Sequence, residues 1–201
     1  MKQFFFIATL LFITIGVGAR ERASSPAVVD VVDGVPVFMF AEPVVEFQRA
    51  EKTLSVKNMF KLAGDGDETP RDKIHKLIGM IRRRVEEGKI TCFDAVIVDI
   101  RNDYYDAICF KGEKSLQANV HTVKDVPIYF FSKPTEPYDT VAVIPAEYSR
   151  RAKRNFLYDK IKSMVGRILK KEKKKEIGQF DALIYNPDDL SAVAIRFKKE
   201  E

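Results

Sequence analysis

The chain has 201 residues, 34 Lys and Arg against 29 Asp and Glu, a formal net charge of +5, and 46% apolar residues. That balance fits one globular domain or two small ones and excludes a mostly disordered chain. No internal apolar run reaches the roughly 18 to 20 residues of a membrane-spanning helix, and two Cys with two His cannot build a four-ligand zinc site of the usual spacing.

The first element in chain order reads as a secretory signal peptide over 1–19. Met1-Lys2 supplies a positive start, 4–17 is an apolar stretch of 14 residues, and Val17-Gly18-Ala19 supplies small residues for cleavage. The stretch is short for a span, and no Cys follows it for lipid attachment. Cleavage near Ala19 leaves 33 basic and 29 acidic residues and places the mature chain in a periplasmic or secreted setting, where disulfides persist.

The remainder reads as a tandem duplication. Aligned without a gap, 72–111 and 159–198 are identical at 14 of 40 positions, and VPVFMFAEP at 35–43 matches VPIYFFSKP at 126–134. The two units are 28–111 and 120–198, with a polar linker at 112–115. Short aromatic and β-branched runs at 35–40 and 128–131 predict strands, as does 140–144, which Pro145 ends; its counterpart within 45–56 is less legible. An acidic, glycine-containing stretch at 64–68 reads as a flexible loop, not as a calcium or phosphate loop. Thr69, Pro70 and Asp72 then supply a cap, a first-turn proline and a capping-box acid. Ile74, Leu77, Ile78, Ile81 and Val85 recur at helical spacing, as do Leu157, Ile161, Met164, Val165 and Ile168. Two strands follow each helix, 92–99 with 104–111 and 179–185 with 191–198, and 186–189 carries a type I turn signal. Each unit thus reads β-β-α-β-β. The fold class is α+β, with helices packed on one face of antiparallel sheets.

Asp94-Ala95-Val96 and Asp181-Ala182-Leu183, each after a helix and before a second strand, resemble the segment that follows the helix in the small α+β domains of the YbjQ and RcsF type of bacterial envelopes. The resemblance implies a fold class and carries no functional residue.

Charge concentrates in 149–176, with twelve basic and three acidic residues. Such a helix is either a solvated outer face or a contact for an anionic surface, with Lys170, Lys171, Lys173, Lys174 and Lys175 as the contacting residues. No aromatic alternates with these charges, so no specific nucleic-acid platform is expected. His75 and His121 lack partners at ligand spacing. Asp94 and Asp181 recur at the same place in both units, and a structural role at a strand start outweighs a paired-carboxylate enzyme. No nucleophile elbow, catalytic set or cofactor loop is present.

Alternation places Phe93, Ala95 and Ile97 on the face toward the helix. Val96, Val98 and Tyr105, with Leu183, Tyr185 and Leu190, then form an outward face too apolar for water, covered by the other unit, a partner protein or a second subunit. Gly79 and Gly166, at equivalent helix positions, either admit a close helix contact or are incidental. A symmetric turn at 186–189 gives a register in which paired numbers sum to 375, and to 201 in the first unit. That register sets Cys92 opposite Cys109 at disulfide range, two free thiols being the alternative. The sequence as a whole reads as an exported, non-catalytic binding or interaction protein without a cofactor. The alternative is an anion- or membrane-surface-binding protein using helix 149–176. The partner is an unspecified envelope protein, an anionic surface or a second copy.

Overall fold

The computed structural model describes residues 26–50, 54–55, 68–102, 104–146 and 156–198. The signal segment 1–19, most of the acidic loop and the basic residues of 150–154 lie outside the described residues. The first half contains β1 (Pro26–Val29), β2 (Val31–Val32), β3 (Val35–Met39), β4 (Ala41–Pro43), β5 (Phe47–Arg49), β6 (Leu54–Ser55), α1 (Pro70–Glu86), β7 (Ala95–Asp99) and β8 (Tyr104–Phe110). The second contains β9 (Gln117–Val120), β10 (Thr122–Val123), β11 (Val126–Phe130), β12 (Ser132–Pro134), β13 (Tyr138–Ile144), α2 (Leu157–Lys173), β14 (Ala182–Tyr185) and β15 (Ala192–Phe197). The class is α+β. Each half carries more strands before its helix than the two the sequence suggests, because β1, β4, β9 and β12 are too short to show a period of their own.

One large sheet runs in the order β13-β15-β14-β11-β3-β7-β8-β5. Most ladders are antiparallel; β3–β7 and β11–β14 are parallel. The centre of the sheet is the single antiparallel pair Met39↔Phe130. These two residues occupy the same place in the matched segments 35–43 and 126–134, so the sheet order reads alike from either end. β3 and β11 are buried along their whole length, which explains their continuous apolar sequences, VPVFM and VPIYF.

Helices cover one face of this sheet. Ile74, Leu77 and Ile78 of α1, with Ile161 and Val165 of α2, pack with Val37, Met39, Val96, Val98, Tyr105, Leu183 and Tyr185 in one core. Each fully buried Leu or Ile contributes about 1.5–3 kcal/mol. Helix α1 begins as its sequence requires. Asp72 N donates to Thr69 Oγ1, Thr69 N donates back to Asp72 Oδ2, and Pro70 stands at the start. Helix α2, Leu157–Lys173, has no side-chain cap and ends before residue 176 of the 149–176 reading, whose 149–155 part lies outside the described residues.

A small antiparallel sheet, β12-β1-β9-β4, covers the other face. Ala27, Val29, Ala41, Ala118 and Val120 pack there on Phe38, Ala95, Ile108, Tyr129, Ala182 and Ile195. The face assignment made from alternation is therefore reversed within the strands, while Phe93, ahead of β7, does pack with the helix-side core. Val96, Val98, Tyr105 and their counterparts meet the helices, while Ala95 and Ile97 meet the small sheet. Both sets are apolar, so alternation separates them without saying which one the helix takes. All three ladders of the small sheet join one half of the chain to the other.

The chain passes from the large sheet to the small one at Phe40 and again at Phe131, both with positive φ (56° and 54°). A bulky residue in the left-handed region is strained. Each is held by the opposite half: His121 N donates to Phe40 O at 2.6 Å, and Asp30 N to Phe131 O at 2.8 Å. Of the paired helix glycines, Gly79 faces open space, whereas a Cβ on Gly166 would stand 2.5 Å from Lys124 Nζ. Gly166 thus admits a lysine from the β10–β11 turn, not a neighbouring helix.

Candidate functional site

The edge strand β4 of the small sheet leaves a cleft over the β7–β8–β5 end of the large one. Its cavity is about 100 Å³, with apolar walls from Phe40, Ala41, Ile97, Val98 and Ile100 and polar groups from Glu42, Arg49, Asp99, Arg101, Asp106 and His121. Asp106 is 9% exposed. It lies on β8 opposite Ile97, on the face shared with Ile108. Its Oδ2 accepts from Arg49 Nε at 2.8 Å, while its Oδ1 is buried and has no partner. A buried carboxylate half satisfied in this way is costly.

At the rim, Asp99 accepts from Arg101 N at 2.9 Å and from Asn102 Nδ2 at 2.8 Å. Burial pushes the Asp99 carboxyl up, but the hydrogen bonds from Asn102 and Arg101 outweigh it and hold the group below its ordinary value. His121 Nε2 lies 3.6 Å from Glu42 Oε1, beyond direct hydrogen-bond length.

The second half supplies a built-in comparison. Arg49 faces Ile108 across β5–β8 as Thr140 faces Ile195 across β13–β15. Asp106 faces Ile97 as Val193 faces Ile184. The ion pair at the floor of the cleft thus stands where the other half has Thr and Val, and the fold does not require it.

Apart from His121, which lines the cleft, the candidate site residues singled out from sequence fall elsewhere. Cys92 and Cys109 are joined by a disulfide with Cα atoms 6.1 Å apart, within the usual range. The register that suggested the bridge is corrected. Ala95 faces Ile108 and Ala182 faces Ile195, so paired numbers sum to 203 and 377, not 201 and 375. The loop 186–191 is longer than a two-residue turn, closed by Asn186 N to Ser191 O and Leu190 N to Asn186 O, both 2.9 Å. Cys92 lies before β7, outside the ladder, and reaches Cys109 on the helix side of the sheet. At the corresponding place in the second half, Arg196 Nη2 donates to Gln179 O.

Asp94 accepts from Phe110 N at 3.1 Å and Asp181 from Phe197 N at 3.0 Å. Lys114 Nζ, 2.8 Å from Asp94, is the main reason its carboxyl sits below the ordinary value. Lys170, Lys173, Lys174 and Lys175 are exposed and Lys171 is half-buried, around the C-terminus of α2. Lys174 pairs with Glu176 at 3.5 Å. His75 Nδ1 stands 2.7 Å from Asp33 Oδ2. Among the described residues no group of three or more His, Cys, Asp or Glu could hold a metal ion.

Sequence reading missed the cleft. The signal was available in Asp106, a carboxylate at an inward-facing strand position where the aligned unit has Val193. Comparison of the chain with family models, with curated proteins and with solved structures gives no match.

Proposed function

We propose that this is an exported binding protein, built by tandem duplication of one α+β unit, whose ligand enters the Asp106 cleft. The observation that carries the reading is the half-satisfied, buried Asp106 at a position where the other half manages with Val193. A fold that keeps an unneeded buried charge at one of two equivalent places points to use of that charge. Export is supported by the apolar start of the chain and by the Cys92–Cys109 bridge. The resemblance of 94–96 and 181–183 to the YbjQ and RcsF type is in keeping with an envelope setting. Protein purified from its own compartment tests the reading. N-terminal sequencing is expected to begin near Arg20, and native mass spectrometry to show a bound small molecule that the Asp106→Val variant lacks. A full-length membrane-bound product, or the absence of any ligand mass on either protein, would overturn it.

The second reading is contact with an anionic surface through Lys170, Lys171, Lys173, Lys174 and Lys175. The observation in its favour is that only Lys174 among them has an ion pair within the described residues. Against it, cations at a helix C-terminus are already accounted for by the helix dipole. Retention on heparin or anionic vesicles that falls steeply with salt, and is lost when the five are neutralised, supports it; salt-independent retention rules it out.

A further inference from the structure

We infer that the Asp106 cleft recognises a small organic cation, an ammonium or guanidinium head that donates to Asp106 Oδ1 while its short apolar remainder rests on Phe40 and Ile97. This rests on the binding reading above and names the ligand class.

Three features select a cation. First, the unpartnered group on the floor is an acceptor. Oδ1 of an ionised carboxylate can only accept, and Arg49, which holds Oδ2, does not reach it. Second, the lining has three carboxylates, Glu42, Asp99 and Asp106, against two guanidinium groups, Arg49 and Arg101. Counted over these carboxylates and guanidinium groups, the lining is one negative charge in excess. A bound water could satisfy Oδ1 but would leave that charge unanswered, whereas a cationic donor answers both and makes the stronger, charge-assisted bond. Third, a cavity of about 100 Å³ is smaller than the roughly 150 Å³ that holds a benzene ring. It suits a head of a few heavy atoms, not a nucleotide or a sugar.

The same residues explain why the second half would not bind the same ligand. Thr140 and Val193 replace the charged floor, and Lys133 and Asp30 stand where Glu42 and His121 stand in the first half.

The test is a titration of the full exported chain, disulfide intact and 15N-labelled, with ethylammonium and methylguanidinium, followed at the amides of 97–100, 105–107 and 121. Acetamide and acetate serve as neutral and anionic probes. Saturable shifts are expected for the two cations only. Asp106→Asn, nearly isosteric, is expected to weaken them at least tenfold. The double exchange Arg49→Thr/Asp106→Val, which writes the second half's residues into the first, is expected to abolish them with an unchanged or higher melting temperature. Nα-acetyl-lysine amide distinguishes the source of the head. Binding tighter than ethylammonium identifies a protein side chain, and weaker binding a free amine; either upholds the cation.

Saturation by acetate or acetamide in place of the cations would overturn the ligand class and leave the binding reading intact. Undiminished cation binding by Asp106→Asn would remove Asp106 as the anchor. If both variants fail to fold, the ion pair is structural and the inference falls. If none of the four small probes saturates the cleft, the cation assignment is lost; a bare native mass in addition would remove the binding reading too.

Discussion

Asp94 and Asp181 make the same hydrogen bond in the two halves of the chain, each accepting from a backbone N–H sixteen residues ahead, Phe110 at 3.1 Å and Phe197 at 3.0 Å. Each also donates its own N–H to the facing strand, to Ile108 O at 2.8 Å and Ile195 O at 2.7 Å. The carboxylate thus extends the ladder by one rung before the strand itself begins. That local task accounts for an Asp at both places without a catalytic pair. Replacing either with Ala leaves a partly buried N–H without its acceptor and is expected to cost about 1–2 kcal/mol. Asn, which keeps a carbonyl acceptor, is expected to cost less. Urea melts of the four single variants measure this; a loss at only one of the two positions would mean that the roles differ.

Cys92 and Cys109 tie the segment after α1 to β8 across a sequence separation of 17. A loop of that length stabilises by about 3 kcal/mol when closed. Reduction, or the Cys92→Ser/Cys109→Ser double variant, is expected to lower stability by about 2–3 kcal/mol without unfolding the protein. The second half holds the same place with Arg196 and Gln179 O. Denaturant titration with and without reductant gives the difference, and alkylation with intact mass counts the thiols. Two thiols alkylated without reductant would refute the bridge.

How much of this was legible depends on what each pattern constrains. The helices were legible because Ile74, Leu77, Ile78 and Ile81 show a period no strand has, and because Thr69 and Asp72 form a local cap that needs no tertiary partner. The β7–β8 register was legible only in parity. Sums of 201 and 203 put the same residues on the same face, so apolar consistency could not choose between them. The small sheet was hidden because its strands have only three or four residues and pair only with segments about 75 to 107 positions away. The cleft was hidden for a related reason. Arg49 and Asp106 are 57 positions apart, and only the β5–β8 ladder makes them neighbours.

Phe131 has φ +54° and is 1% exposed, with Phe130 edge-on at 5.3 Å and the Arg71 guanidinium 5.4 Å over its ring. Removing the ring is expected to cost about 3–5 kcal/mol. The order of the two small replacements is the sharper prediction. A side chain in the left-handed region costs roughly 1–2 kcal/mol that glycine avoids. Phe131→Gly should therefore be more stable than Phe131→Ala by about 1 kcal/mol, the reverse of the usual order within a strand or helix. Phe40 should behave alike. An alanine variant as stable as the glycine variant would show that the backbone relaxes out of this conformation.

Acid should destabilise the fold through carboxylates that are held below their ordinary values. Thr69 lowers Asp72, Lys114 lowers Asp94, Ser191 lowers Asp189 and Lys89 lowers Glu87. A depressed folded-state value contributes stability that is complete above the unfolded value, 3.8 for Asp and 4.5 for Glu. It is lost as pH falls through the folded value. The urea midpoint should be flat from about pH 5 to 7 and fall below about pH 4. A midpoint that rises on acidification would contradict these assignments.

Neither half should fold alone, despite their parallel order of elements. The small sheet has three ladders, β12–β1, β1–β9 and β9–β4, and every one joins the halves. The strained Phe40 and Phe131 are held by backbone donors from the opposite half, His121 N and Asp30 N. Without the first half, the inner faces of β11 and β14, with Tyr129 and Ala182 now fully buried, would lose β1 and be covered only in part. A fragment of 116–198 therefore carries a complete helix and hairpin but lacks the strands that close its core. The bridge Cys92–Cys109 lies wholly within 20–115, so the two fragments can be made without breaking it. Each fragment alone is expected to lack a cooperative urea transition, and an equimolar mixture is expected to regain one at a midpoint that rises with concentration. A cooperative transition in the isolated 116–198 fragment would show that the pairing between halves is dispensable and that each unit is an independent domain.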